Sequence, residues 1–344
     1  MPQPKVSVIT PTYNHQDFIM WCINSVQNQT FPEWEQIIVD DGSSDGTDDL
    51  IKKVDDKRII YIRQKHLGIH RLFETYNRAL NESRAPLLAI LEGDDFWPTN
   101  KLGIQFSVFR KKHVVLSYGN VIHVDQHARI ISRRSRISLR YPRDPNILFN
   151  NPPGTILKRL LFDNFIPAVS VVVVKEAIQE MSGFKQPPGT LSVDHATWLN
   201  LSLKGKFSYL PRDLGCSRRH SESTTVRISK DPPRAIAAAM PFIDYAHEFL
   251  LEAKSEGLLG NNLWYLVNKI EEYGKNYPDL IYLTFVRRLL VEGKWAEAKL
   301  ILRRLVHSNW RSVRSASMAA LLASHLHTNV ELPMRVFGAY PLER

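Results

Sequence analysis

Leu87-Leu88-Ala89-Ile90-Leu91-Glu92-Gly93-Asp94-Asp95 is the stretch around which the rest of the chain can be ordered. An unbroken apolar run of this kind suits a strand buried on both faces of a sheet. The run stops at two adjacent carboxylates. Burying an unpaired carboxylate is too costly, so Asp94 and Asp95 belong at the strand's exit, in a cleft, with a counter-ion. Paired carboxylates are hard oxygen ligands that suit Mg²⁺ or Mn²⁺. Mg²⁺ is usually held by one or two carboxylates together with substrate phosphates, so a nucleoside-diphosphate site is the first functional expectation. The plainer alternative is an Asp-Asp turn that caps the next segment.

The residues upstream supply the frame. Lys5 to Thr10 reads as a first strand on its β-branched content, and Pro11 is expected to end it, because a proline cannot donate to a central ladder. Phe18, Cys22, Ile23 and Val26 recur at helical spacing between Asp17 and Gln29. Gln36 to Val39 and Ile59 to Ile62 are further strands, and Ile69 to Asn81 a further helix. In the loop from Asp40 to Thr47 two glycines permit tight backbone geometry, and Thr47 or Ser44 can cap the next helix. Strands alternating with helices imply an α/β fold with a mainly parallel sheet covered on both faces. In such sheets ligands bind beyond the carboxyl ends of the strands, so the loops at Thr10 to Asn14, Asp40 to Thr47 and Glu92 to Asp95 should share one rim. Neither a Walker loop nor a dinucleotide-binding glycine fingerprint is present.

Composition narrows the classes. The chain has 344 residues, 44% of them hydrophobic, which is ordinary for a globular protein with two domains or one large appendage. No apolar run approaches the ~20 residues that span a bilayer, and the first residues lead straight into a strand without a secretory signal. Cys22 and Cys216 lie far apart, which fits neither a disulfide framework nor a metal site and points to a reducing cytoplasm. On that reading the sequons at Asn28, Asn81 and Asn200 are chance matches. A net charge of +10 favours anionic partners such as nucleotide sugars or phospholipid surfaces. Nucleic acid is disfavoured by the lack of any zinc-finger or aromatic-basic RNA motif.

Three motifs, taken in order and spacing, resemble glycosyltransferase family 2, whose fold is the Rossmann-like GT-A. They are Val-Ser-Val-Ile-Thr-Pro-Thr-Tyr-Asn at 6–14, Val-Asp-Asp-Gly-Ser-Ser-Asp-Gly-Thr at 39–47 and Gly-Asp-Asp at 93–95. The resemblance covers roughly residues 4–225. It implies that Thr10, Pro11 and Tyr13 bind the nucleotide, with Tyr13 stacked on the base, and that Asp41 accepts a hydrogen bond from a uracil ring. It places Asp94 near the ribose and Asp95 on a Mn²⁺ or Mg²⁺ ion. An aromatic face is a platform for a base, and an ionised Asp is the acceptor that a uracil imide needs. Tyr13 as an aromatic packed on its loop, and Asp41 as a turn-capping residue, are the plainer alternatives. The family's Asn-x-Gly-x-x-x-Ala-Arg-Asn segment is altered: Gly68 and Asn77 fit, but His66 replaces the first Asn. The missing arginine leaves Arg71 or Lys65 to supply charge near the phosphates.

Further along, Ala168 to Val174 reads as a buried strand. Gly183-Phe184 followed by Val193-Asp194-His195-Ala196-Thr197-Trp198 resembles the segment that carries the family's general base, which falls on Asp194; the plainer alternative is a helix N-cap. The Arg-x-His of the family matches Arg218-Arg219-His220, which implies that His220 contacts the metal or the diphosphate. Arginines 133, 134, 136, 140 and 143 form either a solvated loop or a strip for an anionic acceptor or membrane headgroups.

From about residue 231 the pattern becomes helical, so the chain divides into a catalytic domain, 1–228, and a helical region, 229–344. Gly-Lys-Trp-Ala-Glu-Ala at 293–298 resembles the start of a helical-hairpin repeat, but one copy makes no array. These helices could pack on the catalytic domain, on a second subunit of a homo-oligomer, or on a membrane or acceptor-bearing partner. The resemblance implies an inverting, metal-assisted transfer of a sugar from a UDP-type donor to a sugar, lipid-linked or protein acceptor, in cell-surface polysaccharide or glycoconjugate synthesis. The site would be cytoplasmic or peripheral on the inner membrane face. A metal-dependent nucleotidyltransferase and a catalytically silent sugar-nucleotide binder are the competing readings.

Overall fold

A computed structural model describes residues 3–133, 148–221, 223–257 and 263–325. The chain divides into two compact units, 1–220 and 221–344. The first opens with the expected alternation: β1 (Val6–Thr12), α1 (Ile19–Gln27), β2 (Trp34–Asp40), α2 (Thr47–Lys52), β3 (Ile59–Arg63), α3 (Leu72–Glu82) and β4 (Leu87–Ile90). β1 pairs in parallel with β2 and β4, with Ile9 level with Ile37 on one side and Ile90 on the other. β3 extends β2 in parallel. Each of these strands is followed by a crossover helix, the connection that parallel neighbours require. β1, β2 and β4 are covered on both faces: Val8, Ile9, Ile37, Ile38, Leu88 and Ala89 are inaccessible to solvent, and the polar Ser7, Glu35 and Gln36 among them are buried too. α1 lays Ile19, Cys22, Ile23 and Val26 into the same core.

Beyond β4 the sheet is mixed rather than mainly parallel. β5 (Val114–Val124) pairs antiparallel with β6 (Ile130–Ser132) and β7 (Val172–Val174), β7 pairs antiparallel with β4, and β8 (Lys206–Arg218) runs parallel to β5. Among the described residues this makes one eight-stranded sheet in the order β3-β2-β1-β4-β7-β5-β6, with β8 on β5. The strand expected over Ala168 to Val174 is shorter. Its first half is a 3-10 turn, Ala168–Ser170, in which the Ser170 hydroxyl donates to the Pro167 carbonyl at 2.8 Å. Around these strands lie α4 (Lys101–Phe106), α5 (Leu157–Leu160), α6 (Lys175–Gln179) and α7 (Asp194–Leu201).

Pro11 does not end β1, which runs on to Thr12. The paired run of β4 stops at Ile90, opposite Ile9, so no neighbouring strand requires an N–H from Pro11. Its carbonyl instead accepts from the N–H of Gly93 at 3.0 Å, and that of Thr12 accepts from Asp41 at 2.9 Å. Nor do Thr47 or Ser44 cap α2. The N-cap position is Gly46, and Asp45 before it accepts through Oδ1 from the Thr47 N–H at 3.0 Å and the Thr47 hydroxyl at 2.6 Å.

The second unit is helical: α8 (Thr224–Ser229), α9 (Pro232–Ser255), α10 (Leu263–Val291), α11 (Trp295–Leu305) and α12 (Arg311–His325). Asp231 caps α9 by accepting from the Arg234 N–H, ahead of a proline in the first turn where its missing N–H costs nothing. Leu283, Val286, Leu290, Leu302, Val313 and Ala316 form a core of its own. Among the described residues no helix is long and apolar enough to cross a membrane. Of the arginine strip only Arg133 is described, 3.6 Å from Asp213; the rest lies outside the described residues.

Candidate active site

The loops after β1, β2 and β4 lie side by side, since those strands are adjacent and parallel. Backbone bonds from Gly93 to Pro11 and from Asp41 to Thr12 tie the acidic turn and the Asp41 loop to the end of β1. The rim expected from the alternation is therefore built.

At its centre, ligand oxygens of Glu92, Asp94 and Asp95 lie within 4.8 Å of one another. Burial and the charge of Asp94 push Glu92 up to about 7. Burial, then Asp94 and Glu92, push Asp95 well above the carboxylate range. Burial acts on Asp94 in the same sense, but His15 and His220 outweigh it and hold Asp94 below its usual value. Three crowded carboxyls cannot all ionise without added positive charge, and all offer hard oxygens, so the set fits a divalent cation. Glu92 is absent from the ligands expected from sequence. Its only signal is its place at the same strand exit, two residues before Asp94. The Tyr76 hydroxyl donates to its Oε1 at 2.8 Å.

The other expected residues reach this turn by different routes. His220 Nε2 lies 3.2 Å from Asp94 Oδ2, with its ring against Phe18 at 4.7 Å. Asp95 is buried, and its Oδ1 accepts from the backbone N–H of Arg218 at 2.8 Å. Arg218 is itself 1% exposed. Its Nε donates to the Asp94 carbonyl, its Nη1 donates to the carbonyls of Asp125 and Gln126, and its guanidinium lies over Phe18, Trp21 and Phe96. Asp194 is the first residue of α7 rather than the cap before it, a place where negative charge suits the helix dipole. Its Oδ2 accepts from Asn164 Nδ2 at 2.9 Å and its Oδ1 from the N–H of His195 at 2.8 Å. Its charge contributes to raising both Glu92 and Tyr76, which sets the start of α7 near the acidic turn.

On the β2 side, Tyr13 is 39% exposed and stacks on His66, with ring centroids 4.2 Å apart. Asp41 is buried beside them. Oδ1 accepts from Gln64 Nε2 at 2.8 Å and the Leu67 N–H at 2.9 Å. Oδ2 accepts from the Gly68 N–H at 2.9 Å and faces His66 Nδ1 at 3.0 Å. Thr10 and Pro11 are buried under this loop, and the Thr10 hydroxyl accepts from Gln36 Nε2 at 3.0 Å. Arg71 is exposed and paired with Glu74 at 2.5 Å, so it is not drawn onto the acidic turn.

Residues 7–167 match the family model for glycosyl transferase family 2. Two Escherichia coli proteins, WfaP and WfgD, are both described as UDP-Glc:alpha-D-GlcNAc-diphosphoundecaprenol beta-1,3-glucosyltransferases. WfaP is 28% identical over 200 residues, 58% of this chain and 71% of that one. WfgD is 26% identical over 225 residues, 65% of this chain and 80% of that one. The crystallised mannosyltransferase PcManGT of Pyrobaculum calidifontis, in complex with GDP-Man and Mn²⁺, shares the fold with a TM-score of 0.57 at 15% identity, over 97% of this chain and 86% of that one. The chain is a glycosyltransferase built on the GT-A fold, and its residues 7–167 match family 2.

Proposed function

We propose that this glycosyltransferase moves a sugar from a UDP-sugar to an acceptor hydroxyl with inversion at the anomeric carbon, in the making of a cell-surface polysaccharide or glycoconjugate. The observation that carries the reading is the convergence of Glu92, Asp94 and Asp95 at the exit of β4, with the Asp41 loop tied to the same rim through Thr12. Tyr13 offers a face to the base and Asp41 an acceptor to its imide. Asp194 takes the proton of the acceptor hydroxyl as its oxygen bonds to the anomeric carbon. The bond from that carbon to the diphosphate breaks, and its electron pair leaves with UDP. Asn164 fixes the Asp194 carboxyl through Oδ2. Asp95, Asp94 and Glu92, with His220 behind Asp94, would hold a Mn²⁺ or Mg²⁺ ion, which supplies positive charge against the departing diphosphate.

The names of the E. coli relatives specify UDP-Glc and a lipid diphosphate acceptor, and they support a UDP donor and a lipid-linked acceptor here. Such an acceptor would bring the chain to the inner face of the membrane. The test is a panel of nucleotide sugars incubated with Mn²⁺ and lipid-linked or free sugar acceptors. The reading expects UDP as the released product. Release of pyrophosphate would make the chain a nucleotidyltransferase, and UDP binding without turnover against any acceptor would make it a silent relative.

A further inference from the structure

His66 makes the two contacts that a uracil would make. Its imidazole lies on the face of Tyr13 at a centroid distance of 4.2 Å and an interplanar angle of 23°. Its Nδ1 sits 3.0 Å from Asp41 Oδ2 and 2.9 Å from the Asp41 carbonyl, the reach of an N–H donor. We propose that His66 is a built-in stand-in for the nucleobase, which occupies the base subsite until the donor's base displaces it. The inference rests on the base subsite proposed above and adds an occupant that regulates it.

Counting acceptors at Asp41 leads to this. An ionised carboxylate offers about four acceptor positions. Leu67 N–H and Gln64 take Oδ1 and Gly68 N–H takes Oδ2, and His66 Nδ1, 3.0 Å from Oδ2, stands over the position that remains, so a uracil imide cannot reach it while His66 is there. Two of the three donors are backbone groups fixed by the loop. The third, Gln64 Nε2, is also anchored on Thr75 Oγ1 at 2.9 Å. His66, beside them, is a ring on an exposed side chain, 47% accessible, with solvent to swing into. Displacement then opens the Oδ2 position covered by His66 to the imide N–H and exchanges one stacked ring for another on Tyr13. The Asp41 carboxylate keeps its three fixed donors throughout and is not left stranded. The exchange also sets a threshold: a ligand must bring a base that both stacks and donates in order to open the subsite.

A residue that occupies the subsite lowers apparent affinity by the fraction of molecules in which it sits there. Calorimetric titration of UDP and of ribose 5-diphosphate, which lacks a base, separates this from other roles. His66→Ala is expected to tighten UDP about three- to tenfold and to leave ribose 5-diphosphate unchanged. Weaker UDP binding would make His66 a wall of the base pocket and overturn the proposal. Unchanged UDP binding, or equal tightening of both ligands, would overturn it too. Tyr13→Ala checks the subsite itself: it should weaken UDP and spare ribose 5-diphosphate. If UDP binds Tyr13→Ala as it does the wild type, the base-subsite reading falls and takes the stand-in with it. If Tyr13→Ala weakens UDP while His66→Ala fails its test, only the stand-in falls. A measurement on the unaltered chain is independent of both variants. The His66 ring-proton resonance, identified by its absence from the His66→Ala spectrum, is shifted by the Tyr13 ring and should lose that shift when UDP is added. A resonance that keeps its shift at saturating UDP contradicts the displacement.

Discussion

The backbone N–H of Arg218 donates to Asp95 Oδ1 at 2.8 Å, so the last residue of β8 holds the carboxylate that ends the β4 turn. The same residue grips the turn a second time, through Nε to the Asp94 carbonyl at 2.9 Å. Strand β8 thus anchors a site whose residues lie more than a hundred positions earlier in the chain.

Arg218→Ala would remove a buried guanidinium from three carbonyls and leave the acidic turn short of positive charge. Truncating one member of such a buried charged network costs about 3–5 kcal/mol. Chemical denaturation should show a loss of that order. A loss under ~1 kcal/mol would place Arg218 among ordinary surface charges.

Asp194→Asn keeps the size of the side chain and one acceptor oxygen for the His195 N–H, exchanges the oxygen that accepts from Asn164 for a donor, and removes the basic carboxylate. UDP affinity should hold while turnover falls about 10²- to 10⁴-fold, the usual worth of a general base. Steady-state kinetics with UDP detection measures both. A fully active variant would assign the base elsewhere.

Gly93→Ala tests how tightly the acidic turn is seated. A Cβ at residue 93 would lie 2.5 Å from Thr12 Oγ1 and 2.8 Å from His15 Nδ1, two side chains already bonded to each other. The turn must shift, and a displacement of that size at reacting groups costs about 10²-fold in rate. The variant should therefore lose far more turnover than melting temperature; equal, small changes in both would show that the turn tolerates movement.

Lys101 is fully buried in the first turn of α4. It donates to Gln105 Oε1 at 2.6 Å and lies 4.3 Å above the Trp97 ring, with no carboxylate partner among the described residues. Burial drives its amine well below the usual lysine range. The unfolded side chain takes up a proton below about pH 10.4 that the folded one resists, so the wild type gains stability as pH rises toward that value. Lys101→Met should remove the penalty. Its melting temperature should exceed that of the wild type at about pH 7 and converge on it near about pH 10. An advantage that grows with pH would contradict a suppressed lysine charge.

The parallel half of the sheet is legible because β1, β2 and β4 are buried on both faces and so are rich in β-branched and other apolar residues. The rim follows from the alternation, and the acidic pair from the cost of burying it. Pro11 misleads because the rule against prolines in central strands assumes a partner that asks for its N–H, and β4 ends too early to ask. β8 is invisible in the sequence: Pro211, Arg212, Asp213 and Gly215 break any alternation, and register shifts around Asn120 of β5 absorb them. In the sequence Arg218 reads only as the first residue of the Arg-x-His match, whereas it is a buried strut. Glu92 is hidden by the more conspicuous pair beside it. The His66 contacts are beyond sequence reading altogether, since nothing local ties residue 66 to Tyr13 and Asp41; the junction of three strand ends does.

The most direct test of the central claim, that the carboxylates at the exit of β4 bind the nucleotide's diphosphate through a divalent ion, is calorimetric titration of UDP with and without Mn²⁺ into the wild type and Asp95→Ala. The account predicts that Mn²⁺ tightens UDP for the wild type and has no effect on the variant. Equal UDP affinity with and without Mn²⁺ in the wild type, or an undiminished Mn²⁺ effect in Asp95→Ala, would contradict it.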